Sequence, residues 1–350
     1  MDIDIENIAQ QVQENCELSD AKHWGSYTIC GLLIRLMDLY RWSEGIDPWA
    51  KIDNPELMDW VGNREKRWEK IRENEYKDIV IGGKGHPPLD ANGINELLEP
   101  RGFVYGAGYV DAMKPSFFLA KKEETRIEDG HRIFILGREL ARDLITTPAL
   151  LQGENIFVRT QPARSFIWGK ITEFKFSGKE SLKHAFAYYG TDVEDIKDAE
   201  EMDRIAREEL ESYIHHEIGE ARDAIFPHEK WEEIVSTFPL TPIEKFARAV
   251  KDVLADTNEH GTIRYIINNK KKGSLGFYAA LIDGFRKIIF PEIVTAFESF
   301  REEEDWSAIE TARQRGHENA SRYAKRLVEM YEKGSSRTEI EEELIRQFGI

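Results

Sequence analysis

The stretch Tyr213-Ile214-His215-His216-Glu217-Ile218-Gly219-Glu220 is the densest group of histidine and glutamate in the chain. It lies within a long helical pattern, residues 191–225, where Thr191 and Glu194 have the spacing of a capping box. Around it an apolar stripe repeats at helical spacing: Ala206, Leu210, Tyr213, Ile214, Ala221 and Ala224. Glu217 falls at the centre of that stripe. A buried carboxylate must be paired, protonated or bound to a metal, so this position is the main functional clue in the sequence.

The sequence after this stretch also predicts helices. Thr241-Pro242 combines an N-cap residue with a proline in the first turn, and residues 305–333 form a long amphipathic pattern. The apolar segment 275–300 carries Pro291, which predicts a break in that helix. These patterns predict a helical C-terminal domain over residues 161–350.

The character of the sequence differs before residue 161. Helical patterns predict an N-terminal helical region over residues 1–77, and short apolar runs predict a small mixed or antiparallel sheet over residues 78–160. Residues 116–127 are expected to pair with residues 131–136 as a hairpin across Glu128-Asp129-Gly130, and residues 138–144 are expected to form a short helix. The expected fold class is α+β and mostly α-helical, with helical terminal regions around the sheet.

Residues 21–43 are apolar on nearly every side of the predicted helix. This pattern predicts a helix that is buried on most sides. The chain has two cysteines, Cys16 and Cys30, and the expectation is that both are buried in the core.

The composition restricts the partners and the compartment. The formal net charge of −17 argues against nucleic acid or an anionic membrane as a general partner. No apolar run approaches the ~20 residues that span a bilayer, and the N-terminal residues are acidic where a signal peptide would be basic. With two cysteines and no disulfide framework, the expected location is the cytoplasm.

His216 and Glu220 are four residues apart and therefore share one face of the helix. The string His216-Glu217-Ile218-Gly219-Glu220 resembles the zincin signature, although Glu220 stands where that family has its second histidine. One hypothesis is a divalent metal site for zinc, iron or manganese, with His216, Glu220 and His260 as ligands and Glu217 as a catalytic proton acceptor. The competing hypothesis is a structural network in which Glu217 accepts hydrogen bonds from a neighbouring helix.

A second candidate site is basic. Lys270, Lys271 and Lys272 are consecutive, and Arg264 precedes them in a strongly acidic chain. These four residues are expected either to contact an anionic ligand or a partner's acidic face, or to form a solvated loop between two helices.

Two functions follow from these candidates. The first is an interaction or scaffold protein, oligomeric or part of a complex. Small residues Ala312, Gly316 and Ala320 on one helical stripe would let another helix approach, within the fold or across an interface. The alternative is a metal-dependent enzyme, either a hydrolase or a carboxylate-bridged metal oxidoreductase, with its site on the helix over 191–225.

Overall fold

The computed structural model describes residues 3–110, 113–177, 180–193 and 199–348. The chain divides into two compact units, an N-terminal unit of Met1–Gly169 and a C-terminal unit of Lys170–Ile350. Regions 1–77 and 78–160, which the sequence analysis treats as separate, both lie within the N-terminal unit. The fold class is α+β and mostly helical, as the sequence predicts.

The helices are spread over both units, and most of the longer ones carry an N-cap. In the N-terminal unit they begin with α1 Ile5–His23, α2 Ile29–Glu44, α3 Asn54–Ile71 and α4 Ala91–Leu98, and α5 Thr160–Ser177 starts in this unit and ends beyond its boundary at Gly169. They continue with α6 Glu180–Tyr188, α7 Ala199–Arg222, α8 His228–Thr237, α9 Pro242–Thr257, α10 Thr262–Asn268, α11 Lys272–Leu281, α12 Gly284–Ile289, α13 Glu292–Glu303, α14 Trp306–Glu332 and α15 Arg337–Phe348.

The strands lie in the N-terminal unit, among the residues described. They are β1 Ile79–Ile81, β2 Lys84–His86, β3 Phe103–Val110, β4 Lys114–Glu128, β5 His131–Arg142, β6 Ala149–Gln152 and β7 Asn155–Arg159. β1 and β2 form a small antiparallel sheet, and the others form a mixed sheet in the order β3-β4-β5-β7-β6. β7 runs parallel to β5 and antiparallel to β6.

The predicted hairpin is confirmed at its turn. Glu128 pairs with His131 across Asp129 and Gly130, and both turn residues have positive φ angles, 49° and 85°. Two successive left-handed residues match the right-handed twist of the flanking strands. The short helix predicted at 138–144 is wrong, because β5 continues as a strand to Arg142.

The sheet of the N-terminal unit buries both of its faces. One face packs beneath α1 and α4, with a core of Ile8, Val12, Cys16, Ile94, Leu98, Tyr105, Phe117 and Leu119. The other face holds Val104, Phe118, Phe134, Leu136 and Phe157. A third cluster joins α2 to α3 around Leu39 and Trp68. These clusters explain why the sheet region and the helices before it form one unit.

A large apolar core lies in the C-terminal unit, and it includes Phe246, Val250, Phe290 and Leu327. α9 lies at its centre and packs against α7, α12 and α14. The predicted N-cap of α9 is confirmed, since the Thr241 side chain accepts a hydrogen bond from the Glu244 backbone N–H at 3.4 Å. The predicted break at Pro291 is also confirmed, because α12 ends at Ile289 and α13 begins at Glu292.

The small residues on α14 face inward. Ala312 and Ala320 belong to the core, and a Cβ atom added to Gly316 would lie 2.5 Å from the Phe290 ring. This stripe therefore serves packing within the C-terminal unit. None of the helices in the described ranges is long and apolar enough to cross a membrane.

Candidate functional site

The helix predicted over residues 191–225 is present as α7, Ala199–Arg222. Its predicted capping residue Glu194 lies outside the described residues. α7 approaches α9 closely at Gly219, because a Cβ atom there would lie 2.1 Å from the Ala255 carbonyl oxygen. The Asn258 side-chain amide donates a hydrogen bond to the Gly219 carbonyl at 2.7 Å. The glycine therefore sets how closely the functional candidates of α7 face those of α9.

His216 faces a carboxylate on α9. Its Nδ1 lies 2.8 Å from Asp256 Oδ1, and Asp256 is buried. Two hydroxyl groups also donate to this carboxylate, Thr262 at 3.0 Å and Tyr278 at 2.9 Å. Asp256 is thus held in place by three donors, and it fixes the orientation of the imidazole ring.

The two groups shift each other's pKa. Burial lowers the pKa of His216, but the charge and hydrogen bond of Asp256 outweigh burial and raise it to about 10. Burial would raise the pKa of Asp256, yet the His216 charge and hydrogen bonds hold it below its usual value. His216 is therefore an imidazolium at neutral pH, which suits an ion pair and does not suit a general base.

Glu220 is also used in an ion pair. Its carboxylate lies 2.7 Å from Lys251 Nζ on α9, and Lys251 stacks 3.9 Å from the centroid of the Trp231 ring. Burial acts to raise the pKa of Glu220, but the Lys251 and His216 charges outweigh burial and lower it. Both predicted metal ligands on α7 therefore hold α7 to α9 through charge pairs.

The structure does not bring the predicted metal ligands into one group. His260 is exposed in the turn after α9, where its backbone N–H donates to Asn258 Oδ1 at 2.9 Å. No three His, Cys, Asp or Glu side chains in the described ranges are placed to hold a metal ion. The zinc, iron or manganese hypothesis therefore gains no support from His216, Glu220 and His260. Glu217 is buried as the helical pattern predicts, and its charge helps raise the pKa of His216.

The positive charges of the basic candidate residues, Arg264 and Lys270 to Lys272, are largely balanced by neighbouring groups. Arg264 pairs with Glu259 at 2.6 Å and with Glu310 at 3.1 Å. Lys272 pairs with Glu304. Lys270 Nζ lies 4.8 Å from the centroid of the Trp306 ring, and the Lys271 charge acts on buried Glu209. These contacts favour the structural interpretation of the basic segment over an anion site.

The His216–Asp256 pair predicts a pH-dependent stability. A raised histidine pKa contributes stability that is complete below about 6.5 and is lost as pH rises through about 10. Unfolding in urea at pH 6, 8 and 9.5 should therefore show the C-terminal unit of the wild type weakening with pH. His216→Gln should remove about 1.5–3 kcal/mol at pH 6 and should flatten the pH dependence.

The matched control is His260→Gln, which changes an exposed side chain. It should alter the free energy of unfolding by about 0.5 kcal/mol or less and leave the pH dependence intact. Equal pH profiles for the wild type and His216→Gln would show that the pair does not stabilise the unit.

Sequence reasoning missed a buried charge network in the N-terminal unit. Lys114 Nζ lies 2.7 Å from Asp20 Oδ1 and 4.0 Å from Asp143 Oδ2, and all three side chains are almost completely buried. Asp143 also accepts the Phe117 backbone N–H at 3.2 Å. The network ties the end of α1 to the start of β4 and the end of β5.

A second network adjoins it. Arg159 Nε donates a hydrogen bond to the Glu139 carboxylate at 2.5 Å, and Arg142 Nη1 lies 3.5 Å from the same carboxylate. Arg142 also pairs with Asp38. The signal in the sequence was the segment 137–144, which contains four charged residues, and three of these, Glu139, Arg142 and Asp143, are buried. The helical interpretation of that segment concealed their burial in the sheet.

Sequence reasoning also missed an exposed apolar face. The prediction that the helix over residues 21–43 is buried on most sides is wrong, because Ile29 is 88% exposed, Ile34 67% and Leu33 42%. Cys16 is buried as expected, but Cys30 is exposed. We call Ile29, Cys30, Leu33 and Ile34 the α2 face. They lie at i, i+1, i+4 and i+5, so they share one side of α2.

Comparison with known proteins identifies both parts of the chain. No curated protein and no solved structure matches it. Residues 7–159 match the N-terminal domain of a family of unknown function, DUF6866, and residues 164–347 match its C-terminal domain. Together these two ranges cover nearly the whole chain. The chain therefore belongs to the DUF6866 family.

Proposed function

We propose that this chain is an interaction protein that docks a protein partner on the α2 face. The observation that carries the proposal is the exposure of Ile29, Leu33 and Ile34 on one helix. Scattered apolar residues are normal on a protein surface, but a contiguous apolar side of a helix is typical of a binding site. The helix-in-groove mode of recognition uses such i, i+4 anchors.

The charge distribution supports the same proposal. Residues 24–34 contain no Asp, Glu, Lys or Arg, although 32% of the chain is charged. A solvated helix start in so charged a protein would normally carry such residues. The lack of charge therefore suits a surface that another molecule covers.

The amount of exposed apolar surface on the α2 face sets the expected strength of docking. The three exposures add up to about two fully exposed aliphatic side chains. Covering them contributes roughly 3–6 kcal/mol from one side of the interface. Association itself costs about 4–15 kcal/mol, so a matching apolar surface on the partner is needed for stable binding.

The polar clusters support an interaction role more than an enzyme role. His216, Glu220 and Lys114 are each engaged in ion pairs that join elements within one unit. These pairs account for the charged residues structurally. The proposed location is the cytoplasm, which the two free cysteines suit.

Site-specific photo-crosslinking tests the proposal. A photoreactive phenylalanine analogue at Ile34, in the full chain expressed in cells, should give a discrete adduct after irradiation. The same analogue at Ile127, which is 77% exposed on the hairpin, is the matched control and should give none. An adduct pattern at Ile34 no stronger than that at Ile127 would contradict docking on the α2 face.

A further inference from the structure

We infer that the N-terminal unit binds a small neutral sugar in a polar cleft between α1, the C-terminal end of α2 and β5. The cleft has a volume of about 860 Å³, and Arg67 of α3 and Gln161 of α5 complete its walls. Small-molecule sites usually have volumes of about 300–1,000 Å³. The residues of the α2 face do not line the cleft, so this inference is independent of the proposed docking.

The lining of the cleft is polar on most sides. Eleven of its fifteen residues are charged or carry an amide or hydroxyl group, whereas most ligand pockets are lined mainly by apolar side chains. α1 supplies a whole face of such residues, with Glu6, Gln10, Gln13 and Glu17 at helical spacing. A ligand that fills the cleft must therefore carry polar groups over most of its surface.

The charges at one end of the cleft are already paired. Glu17 lies 3.2 Å from Arg64 and 2.5 Å from Arg67, and Glu14 lies 2.9 Å from Lys77. Three cations therefore accompany two carboxylates. The formal charge of this group is +1.

The other lining charges bring the total to zero. Glu139 also lines the cleft, and its network of two arginines and two carboxylates is neutral. The remaining charges of the lining, Glu6, Glu44 and Arg138, add up to −1 and cancel the charge of the first group. In a chain of net charge −17 this cleft is locally neutral, so it offers no net attraction to an ion.

Two amides of the cleft are held by the backbone of β5. Gln13 Nε2 donates to the Arg142 carbonyl at 3.1 Å, and Gln13 Oε1 accepts the Arg142 N–H at 3.1 Å. Gln161 Oε1 accepts the Glu139 N–H at 2.7 Å, which leaves the Gln161 NH₂ group as a donor without a partner in the described part of the chain. Sugar hydroxyls both donate and accept, so they match a lining that mixes carboxylate acceptors with amide and guanidinium donors.

Trp42 provides an aromatic surface in the same cleft. Its ring is half-buried, and Arg142 Cζ lies 5.6 Å from the ring centroid, which restricts the ring's movement. The C–H groups on one face of a sugar ring pack against such a surface while the hydroxyls at the edge reach polar groups. An organic acid or an amine would instead bring an uncompensated charge into a neutral cleft.

A saturation-transfer NMR titration of the full chain tests the inference. The probes are glucose, galactose, N-acetylglucosamine, maltose and cellobiose, and the comparators are adenosine, spermidine and citrate. At least one sugar should bind with a Kd of roughly 0.1–10 mM, since a small neutral ligand makes few contacts. Its Kd should agree within about twofold between about 0.05 M and about 0.5 M NaCl, because salt screens ionic contacts only.

Two variants locate the binding in the cleft. Gln10→Leu removes an exposed amide of the lining and should weaken sugar binding about three- to tenfold. Gln314→Leu makes the same change at an exposed glutamine of α14 and should leave the Kd unchanged. Trp42→Leu should weaken binding about tenfold, and circular dichroism checks that each variant retains the fold.

Three outcomes would overturn the inference. The first is no saturable binding by any of the five sugars up to about 50 mM. The second is tighter binding of adenosine, spermidine or citrate than of every sugar. The third is a sugar whose Kd is indifferent to both Gln10→Leu and Trp42→Leu. None of these results bears on the α2 face, which photo-crosslinking at Ile34 tests separately.

Discussion

Replacing Lys114 with methionine should destabilise the N-terminal unit by about 3–5 kcal/mol, because it removes one member of a buried ion pair. Lys114 Nζ lies 2.7 Å from Asp20, and both side chains are almost completely buried. The variant would leave two carboxylates, Asp20 and Asp143, without their shared cation. Tryptophan fluorescence during urea unfolding should report the loss, since six of the eight tryptophans belong to this unit.

The same variant should be partly rescued by acid. Burial raises the pKa of Asp20 to about 6, although Lys114 acts to lower it. A raised carboxyl pKa means that the folded state binds the proton more tightly, so acidification stabilises it relative to the unfolded state. Without Lys114 this pKa should rise further. The penalty of Lys114→Met should therefore be smaller at pH 5 than at pH 8.

Lys77→Met is the matched control for this prediction. Lys77 pairs with Glu14 at 2.9 Å, but its side chain is 70% exposed. Solvent screens such a pair, so the control should cost about 1 kcal/mol or less and should lack the acid rescue. Equal losses in the two variants would show that burial does not determine the contribution of Lys114.

Gly219→Ala should destabilise the C-terminal unit by about 3 kcal/mol, the upper end of the usual range for overpacking. The added Cβ would lie 2.1 Å from the Ala255 carbonyl oxygen, and backbone cannot move aside as a flexible side chain can. Moving α7 away from α9 would also lengthen the His216–Asp256 and Glu220–Lys251 pairs. Hydrogen exchange of α7 and α9 amides should accelerate together.

Gly62→Ala is the control for this prediction, and it should raise the free energy of unfolding where Gly219→Ala lowers it. Gly62 lies within α3, and no atom outside the neighbouring backbone of that helix lies within 4 Å of the Cβ position. An alanine there should stabilise the helix by about 0.5–1 kcal/mol because it restricts the unfolded chain. A neutral result for Gly219→Ala would mean that the two helices have room to separate without losing their contacts.

Local signals in the sequence were sufficient for several elements. The Thr241-Pro242 cap, the Asp129-Gly130 turn and the break at Pro291 depend on neighbouring residues, and each is confirmed. Features that depend on distant residues were predicted less well. The helical pattern placed Glu217 and His216 on their faces of α7, but the partners of His216 and Glu220 lie on α9, which the pattern does not identify.

The wrong predictions for α2 and for residues 138–144 have a common physical origin. Periodicity indicates which side of an element is apolar, but it does not indicate what covers that side. For α2 this produced a helix expected to be buried, whereas Ile29 and Ile34 are exposed. For residues 138–144 a short helix was expected, whereas the burial of Glu139 and Arg142 in the sheet depends on Arg159 and Asp38, which lie elsewhere in the chain.

The strand order β3-β4-β5-β7-β6 has a consequence for synthesis on the ribosome. β7 lies between β5 and β6, yet it is the last of these strands to be made. A nascent chain that ends before Asn155 therefore has a β5 edge with unpaired backbone groups and a β6 without its partner. Such edges can pair with other chains. Productive folding of this sheet must wait for residues 155–159, and ribosome stalling just before them should expose the chain to aggregation.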